Sequence, residues 1–251
     1  CFEWYLPEDG TFWKNVENMA SSFFNEGITC VWLPPAYNGQ GGIHDVGYGV
    51  YDMYDLGEFD QKGTVRTKYG TKDEYLSCVK QLQKNHLGVI ADIVFNHRMG
   101  ADEKETIMAE EDNPSNRNQD VSGPEQIVAW TKFTFPGRKG KYSTFTWDHN
   151  CFDGTDWDDA SKRNSIFRFD GKRWDQDVDN EDGNYDYLMG CDLQMTNPTV
   201  IQELKDWGKW YLNLVKPQGV RLDAVKHIEF TLFEDWLGQM RQDTNNPDLF
   251  A

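Results

Sequence analysis

Cationic residues are scarce in this 251-residue chain: 25 Lys and Arg face 42 Asp and Glu, for a formal charge of −17. That balance makes nucleic acid a poor partner and leaves a neutral or cationic ligand easier to accept. Cysteine is sparse as well. The five cysteines, Cys1, Cys30, Cys78, Cys151 and Cys191, are odd in number and form no CxxC pair, so neither a disulfide framework nor a zinc site is suggested. Cys30 and Cys78 fall within apolar patterns and are expected to be inert core thiols; reduced thiols suit a cytoplasmic protein. No apolar run approaches a membrane span, and no signal peptide is visible, so no membrane partner is expected. The chain starts at Cys1 rather than Met, which leaves room for a lost leader. Aromatics, by contrast, are plentiful, with 10 Trp and 11 Tyr. Most large aromatics pack in cores, and exposed ones suit the C–H faces of sugar rings.

Helical and strand signals alternate in the first part. Trp13, Val16, Met19, Ala20, Phe23 and Phe24 follow helical spacing up to Gly27. Ile28–Leu33 then reads as a short strand closed by Pro34-Pro35. Tyr75, Val79 and Leu82 mark a second helix, and Gly88–Phe95 is a nearly continuous apolar strand of the kind buried on both faces. Such alternation implies βαβ units and a parallel sheet. After His97 the pattern breaks for roughly 100 residues rich in Asp, Asn, Gly and aromatics, with short strand-like runs such as Ile166–Phe169. A structureless loop of that length inside a compact domain is improbable, so an irregular β-rich insert is expected. Helical spacing returns at Val200, Leu204, Trp207, Tyr211 and Leu214. Strand Gly219–Asp223 follows, then a helix through Phe233, Trp236, Leu237 and Met240.

The resulting division is 1–97, first part of a barrel; 98–198, the insert; and 199–251, the barrel continued. Without the insert about 150 residues and four candidate strands remain, whereas a closed (β/α)₈ barrel takes roughly 250 residues and eight strands. The fold class is therefore α/β, a partial TIM barrel of about strands 1–4. Pro247–Ala251 reads as the start of a fifth strand, and the chain as an N-terminal fragment. An open four-stranded sheet is disfavoured because its edges would be exposed.

Two segments carry the chemistry. In Gly219-Val-Arg-Leu-Asp-Ala-Val-Lys-His227, alternation along a strand puts Arg221 and Asp223 on one face, while Val220 and Leu222 point into an apolar layer. An arginine beside an aspartate favours the ionised carboxylate and fixes its rotamer, which suits a nucleophile. Lys226 and His227 add polar groups at the strand's exit. Alone, such a pair reads first as a structural ion pair; the whole segment, taken with the one upstream, turns the reading towards chemistry. Upstream, Ile90-Ala-Asp-Ile-Val-Phe-Asn-His97 ends another strand in polar residues. Active residues of TIM barrels sit at the C-terminal ends of strands. Asn96, His97 and Asp223 fall there, with Tyr48 expected in the loop leading to the second strand. His97 taken singly is better explained by a capping or core role; its place in the segment reverses that.

A second signal lies in Asp148–Asp192, where 13 of 45 residues are acidic and five basic. Oxygen ligands in a flexible loop suit Ca²⁺; composition alone favours a solvated acidic surface. An EF-hand does not fit, since aligning Gly183 as its glycine puts Val178 and Met189 at the first and last ligand positions.

Segments Ala91–His97 and Gly219–His227 resemble two signature regions of the α-amylase family of glycoside hydrolases. The likeness spans nearly the whole chain. Phe2-Glu-Trp-Tyr5, Val31-Trp-Leu-Pro-Pro-Ala-Tyr37, Asp45-Val-Gly-Tyr-Gly49, Tyr54-Asp-Leu-Gly-Glu-Phe59, Lys68-Tyr-Gly-Thr71, Phe152-Asp-Gly-Thr-Asp-Trp157 and Gly183-Asn-Tyr-Asp-Tyr-Leu188 resemble the bacterial liquefying α-amylases. Met99-Gly-Ala-Asp-Glu-Lys-Glu105 is closer to the cytoplasmic α-amylases of enteric bacteria. The resemblance implies endo-hydrolysis of α-1,4-glucosidic bonds in starch, glycogen and maltodextrins, with retention. Asp223 would be the nucleophile, supported by Arg221. His97 would hydrogen-bond the sugar where the bond breaks, Tyr48 would stack on it, and Lys226 and His227 would contact the leaving-group side. The acid/base glutamate and a further aspartate would come from strands five and seven, absent here together with a C-terminal β domain. Glu229 and Glu234, in the helix after strand four, are on the wrong side to replace it, so the chain alone is expected to be inactive.

The resemblance also implies one structural Ca²⁺, held by Asn96, Asp175, Asp186, Asp192 and the carbonyl of His227, with Asp153 near additional metal positions. Gln194 and Thr196 stand where thermostable relatives carry aspartates, which argues against further metals. The partner would be an α-glucan, and a monomer in the cytoplasm is expected. The rival readings are a maltooligosaccharide-forming or transglycosylating relative, a degenerate member that binds glucan or calcium without catalysis, and a stand-alone calcium module.

Overall fold

The computed structural model describes residues 5–251. Cys1 and the Phe2–Trp4 part of the first quoted segment lie outside the described residues. In chain order the strands are β1 (Cys30–Leu33), β2 (Asn38–Gly39), β3 (Val50–Asp52), β4 (Gly88–Ile93), β5 (His97–Arg98), β6 (Glu103–Asn113), β7 (Asn116–Asp120), β8 (Glu125–Lys132), β9 (Phe152–Asp158), β10 (Arg163–Phe169), β11 (Cys191–Leu193) and β12 (Gly219–Leu222). The α-helices are α1 (Phe12–Asn25), α2 (Lys72–Lys84), α3 (Pro198–Val215) and α4 (Phe230–Asp243).

The barrel part is a parallel sheet in the order β1-β4-β12, with Trp32 opposite Ile90 and Arg221 opposite Asp92. Phe250 bridges Gly219 in parallel, and the Val220 N–H donates to the Phe250 carbonyl at 2.8 Å, where a fifth strand was expected to begin. The fold is thus a partial (β/α)₈ barrel with a sheet-rich region. Helix α2 starts at a capping box, in which Thr71 and Glu74 satisfy each other's backbone N–H groups. It buries Tyr75, Cys78, Val79 and Leu82 on one face. Asn197 caps α3, with Pro198 in its first turn. Helices α3 and α4 meet at Gly208, where a Cβ would come within 2.6 Å of Trp236.

One expectation fails near β1: Cys30 is exposed rather than core. The run from Trp13 to Phe24 forms α1 as its spacing implies, with Met19 and Phe24 on its exposed side. Among the described residues β1 pairs only with β4, so its outer edge and the apolar groove between it and α1 lie open.

The insert is a mostly antiparallel sheet in the order β5-β11-β9-β10-β6-β7, with β8 also pairing β6. Its longest strand, β6, was not foreseen. It reads Glu-Lys-Glu-Thr-Ile-Met-Ala-Glu-Glu-Asp-Asn, and only Ile107, Ala109 and Asp112 are buried. Registry of Ile107 against Ile127 and of Glu105 against Ala129 joins it to β8. One apolar core runs from Trp13 and Leu82 through Phe95 to Phe133, Phe152 and Phe167 of the insert.

Candidate functional site

The ends of β4 and β12 lie side by side, and the Asp223 N–H donates to the Ile93 carbonyl at 2.9 Å. Strand alternation delivers Arg221 and Asp223 to one face as expected, with Arg221 Nη1 2.5 Å from Asp223 Oδ1. The same guanidinium reaches Asp92 at 3.2 and 3.3 Å. Asp92 is fully buried, and its Oδ2 also accepts from Tyr48 Oη at 2.9 Å and from Trp32 Nε1 at 3.0 Å. Burial pushes the Asp92 carboxyl up to about 6, against the pull of Arg221. Asp92 is therefore the post to which Arg221 and Tyr48 are tied. Sequence reasoning missed this role, although the signal was present: a single charge within an otherwise apolar strand needs a partner.

Tyr48 lies beyond β1, between the ribbon strands β2 and β3. The chain leaves β1 through Pro34-Pro35 and makes this ribbon before α2. Tyr48 is half-buried, and its carbonyl oxygen is 2.8 Å from His97 Nε2. A carbonyl only accepts, so Nε2 carries the proton and Nδ1 keeps its lone pair. Nδ1 is buried and has no partner. Burial holds the His97 imidazole below its ordinary pKa, so the ring is neutral. Asp223, Arg221, Tyr48 and His97 thus converge. A cleft of about 760 Å³ opens beside Tyr48, lined also by Gln40, His44, Met99 and Met189. A neighbouring hollow of about 350 Å³ shares Gln40 and Met99 and is walled by Trp130 and Trp157.

After Asp223 the chain turns at Ala224, left-handed at φ 55°, into a short 3₁₀ turn, Val225–His227. Lys226 reaches Glu181 at 2.9 Å. His227 Nδ1 is 2.5 Å from the Tyr185 carbonyl oxygen, and its ring lies against the Tyr185 ring at 4.2 Å. Both residues therefore lean on the acidic loop of the insert. Burial keeps the His227 imidazole below its ordinary pKa.

That loop contributes a second cluster. Carboxylate oxygens of Asp153, Asp175 and Asp186 lie within 4.8 Å of one another, and all three residues are buried. Asn96 Nδ2 donates to Asp192 Oδ1 at 3.2 Å. Asn96 Oδ1, both carboxylate oxygens of Asp153 and of Asp175, and Asp192 Oδ2 are buried without partners. Burial pushes Asp153 up to about 8 and Asp175 up to about 7, and it raises Asp186 and Asp192 well above the usual range. Buried carboxylates and an unpartnered amide oxygen make a hard oxygen donor set, so these residues fit Ca²⁺. Asp153, expected near additional positions, stands within the cluster itself. At Gln194, Lys172 Nζ donates to Oε1 at 2.6 Å and to the Asn150 carbonyl at 2.9 Å, so an ammonium already occupies the surroundings of that side chain.

Comparison with known proteins follows the same lines. A family model, α-amylase catalytic domain, matches residues 25–249. The α-amylase of Geobacillus stearothermophilus is 56% identical over 248 residues, covering 98% of this chain and 45% of its own length. A glucan 1,4-α-maltohexaosidase of Bacillus sp. (strain 707) is 50% identical over 100% of this chain and 48% of its own length. The cytoplasmic α-amylase of Escherichia coli (strain K12) is 42% identical over 98% of this chain and 51% of its own length. The chain thus spans about half the length of these curated relatives. The crystal structure of an α-amylase from Geobacillus thermoleovorans, complexed with acarbose, superposes with a TM-score of 0.57 at 20% identity, covering 96% of this chain and 40% of that one.

Proposed function

This chain belongs to the α-amylase catalytic-domain family, and from that premise we propose that it is part of an endo-acting glycoside hydrolase. The reaction is hydrolysis of internal α-1,4-glucosidic bonds in starch, glycogen and maltodextrins, with retention. The observation that carries the reading is the Arg221–Asp223 pair at the end of β12, 2.5 Å apart and anchored by buried Asp92.

In the proposed mechanism Asp223 attacks the anomeric carbon as the glycosidic C–O bond breaks and the leaving sugar's oxygen takes a proton from a second carboxyl; that group then takes a proton from the water that hydrolyses the covalent glycosyl intermediate and frees Asp223. Arg221 holds the attacking oxygen in place. Tyr48 offers a ring face to the sugar in the scissile subsite, and His97, with Nε2 committed to the Tyr48 carbonyl and Nδ1 buried, orients the Tyr48 backbone instead of meeting a sugar hydroxyl directly. Lys226 and His227 face the leaving-group side. Retaining chemistry needs a second, protonated carboxyl about 5–5.5 Å from the first. That glutamate is proposed to come from the half of the relatives' length that this chain does not span, and the 251 residues alone are proposed to be inactive. A Ca²⁺ ion is proposed at Asn96, Asp153, Asp175, Asp186, Asp192 and the His227 carbonyl, where it would neutralise the buried carboxylates. A monomer in the cytoplasm is proposed, in keeping with the relative named as cytoplasmic. No helix among the described residues is long and apolar enough to cross a membrane.

The test is starch hydrolysis by a polypeptide of the relatives' full length carrying this sequence. Asp223→Asn should lower kcat by about 10⁴-fold or more. Full activity in the variant would overturn the assignment, and an inert wild type that still binds starch would favour a binding-only protein. The similarity to a maltohexaosidase and the second, tryptophan-walled hollow favour one further reading, defined maltooligosaccharide release, which product analysis would reveal.

A further inference from the structure

We propose that Arg117, on the insert strand β7, is a positioning residue that sets the orientation of His227 through the ring of Tyr185. The inference rests on the glycosidase reading above, in which His227 meets the sugar on the leaving-group side.

Arg117 lies far from the reaction cluster in sequence, and nothing in its polar strand, Asn-Arg-Asn-Gln-Asp, announces a role. Its guanidinium is 5.0 Å from the Tyr185 ring centroid and 6.0 Å from that of Tyr187. Nη1 donates to the Tyr187 carbonyl. Its carboxylate neighbour, Asp182, is 3.8 Å away, and Nε is buried without a partner. An arginine kept only for an ion pair would use its fork on the acid; this one sits over two aromatic rings, with Asp182 no nearer than 3.8 Å. Tyr185 in turn carries the imidazole of His227 against its own ring at 4.2 Å and 31°, and its carbonyl accepts from His227 Nδ1 at 2.5 Å. The backbone closes the same loop: Tyr185 N–H donates to Asp179 O at 2.9 Å, and Asp179 N–H to Lys226 O at 3.0 Å. Asn118, next to Arg117, holds the Gly183 carbonyl at 2.7 Å. Arg117 and His227 thus both lie against the Tyr185 ring, which Lys226 Nζ also approaches at 5.5 Å, and this ring connects the edge of the insert to the exit of β12.

With Nδ1 committed to Tyr185, only Nε2 of His227 is left for a substrate hydroxyl, and its direction follows the Tyr185 plane. Removing the guanidinium plane should cost one such hydrogen bond, about three- to tenfold in KM. The loss should appear only when the leaving group is a sugar.

The experiment compares wild type, Arg117→Met and Arg117→Lys in the full-length polypeptide. Two substrates are used: maltopentaose, and 4-nitrophenyl maltotrioside scored only by direct release of 4-nitrophenol, a leaving group with no sugar hydroxyls. The His227 ring protons are followed by NMR, since the Tyr185 ring shields them. The expected result for Arg117→Met is a raised KM for maltopentaose, nearly unchanged kcat, unchanged kinetics on the aryl glycoside, and a downfield move of the His227 ring protons. Arg117→Lys, which keeps charge but not plane, should remain defective. Parallel losses on both substrates, unshifted ring protons, or full recovery in the lysine variant would overturn the proposal. If wild type cleaves neither substrate, the glycosidase reading fails, and the ring shift alone then decides whether Arg117 sets His227. If Arg117→Met does not fold, Tyr185→Leu removes the shared ring instead and should give the same split; parallel losses there would overturn the proposal.

Discussion

Stripping divalent cations should turn the acidic cluster from a support into a pH-dependent liability. A carboxyl whose pKa is raised on folding holds its proton more tightly in the folded state. Its contribution to stability is complete below the unfolded value of 3.8 and is lost as pH rises through the folded value, about 8 for Asp153 and about 7 for Asp175. For Asp153 alone, the loss between pH 5 and pH 8 is about 4 kcal/mol, at about 1.4 kcal/mol per pH unit. Domains of this kind are stable by only about 5–15 kcal/mol, so the effect is large. A metal-free chain should therefore melt roughly 10 °C lower at pH 8 than at pH 5. Ca²⁺ at a hundred times its Kd should restore about 2.7 kcal/mol and flatten the profile. Buried His97 and His227, held neutral, act in the opposite sense, so the decisive comparison is with Asp153→Asn. That variant should be more stable than wild type at pH 8 without metal and respond less to Ca²⁺. The assay is calorimetry in chelator and in CaCl₂ at both pH values. A metal-free Asp153→Asn variant that changes in stability between pH 5 and pH 8 just as wild type does, or that is destabilised at pH 8 without metal, would refute the reasoning.

Asp92→Asn should leave Arg221 tied to Asp223 alone; kcat on starch should fall about 10- to 100-fold with a smaller change in KM, alongside a stability loss of about 2 kcal/mol by chemical denaturation. A KM effect without a kcat effect would remove Asp92 from the positioning role. Gly208→Ala puts a methyl 2.6 Å from Trp236 and 2.7 Å from Met240 Sδ, and should cost about 1–3 kcal/mol in urea unfolding without altering Ca²⁺ affinity.

How much of this was legible depends on which residues are asked. The barrel helices were readable because Tyr75, Val79 and Leu82, or Val200, Leu204, Trp207 and Tyr211, repeat at helical spacing on one buried face. Strand β12 was readable because its alternation separates Val220 from Arg221 and Asp223. Strand β6 was not, because its outward face is charged and only Ile107 and Ala109 supply apolar spacing. Cys30 was misjudged because burial depends on what covers a strand's outer edge, which local pattern does not encode. The convergence of Tyr48, His97 and Asp223 came from resemblance, and geometry then added the shared anchor, Asp92. The pull of Arg117 on His227 had no signal in the sequence, because it passes through a ring 68 positions away in the chain.

The central claim is that Asp223 forms a covalent bond with substrate, and it is tested most directly by trapping that bond. The full-length polypeptide is incubated with a 5-fluoro maltosyl fluoride, quenched in acid and digested, and its peptides are weighed. The account predicts one glycosylated peptide containing Gly219–Lys226, with the sugar on Asp223, and no adduct in Asp223→Asn. An adduct on another carboxylate, or turnover of the reagent with no adduct in the wild type while Asp223→Asn remains active on starch, would contradict it.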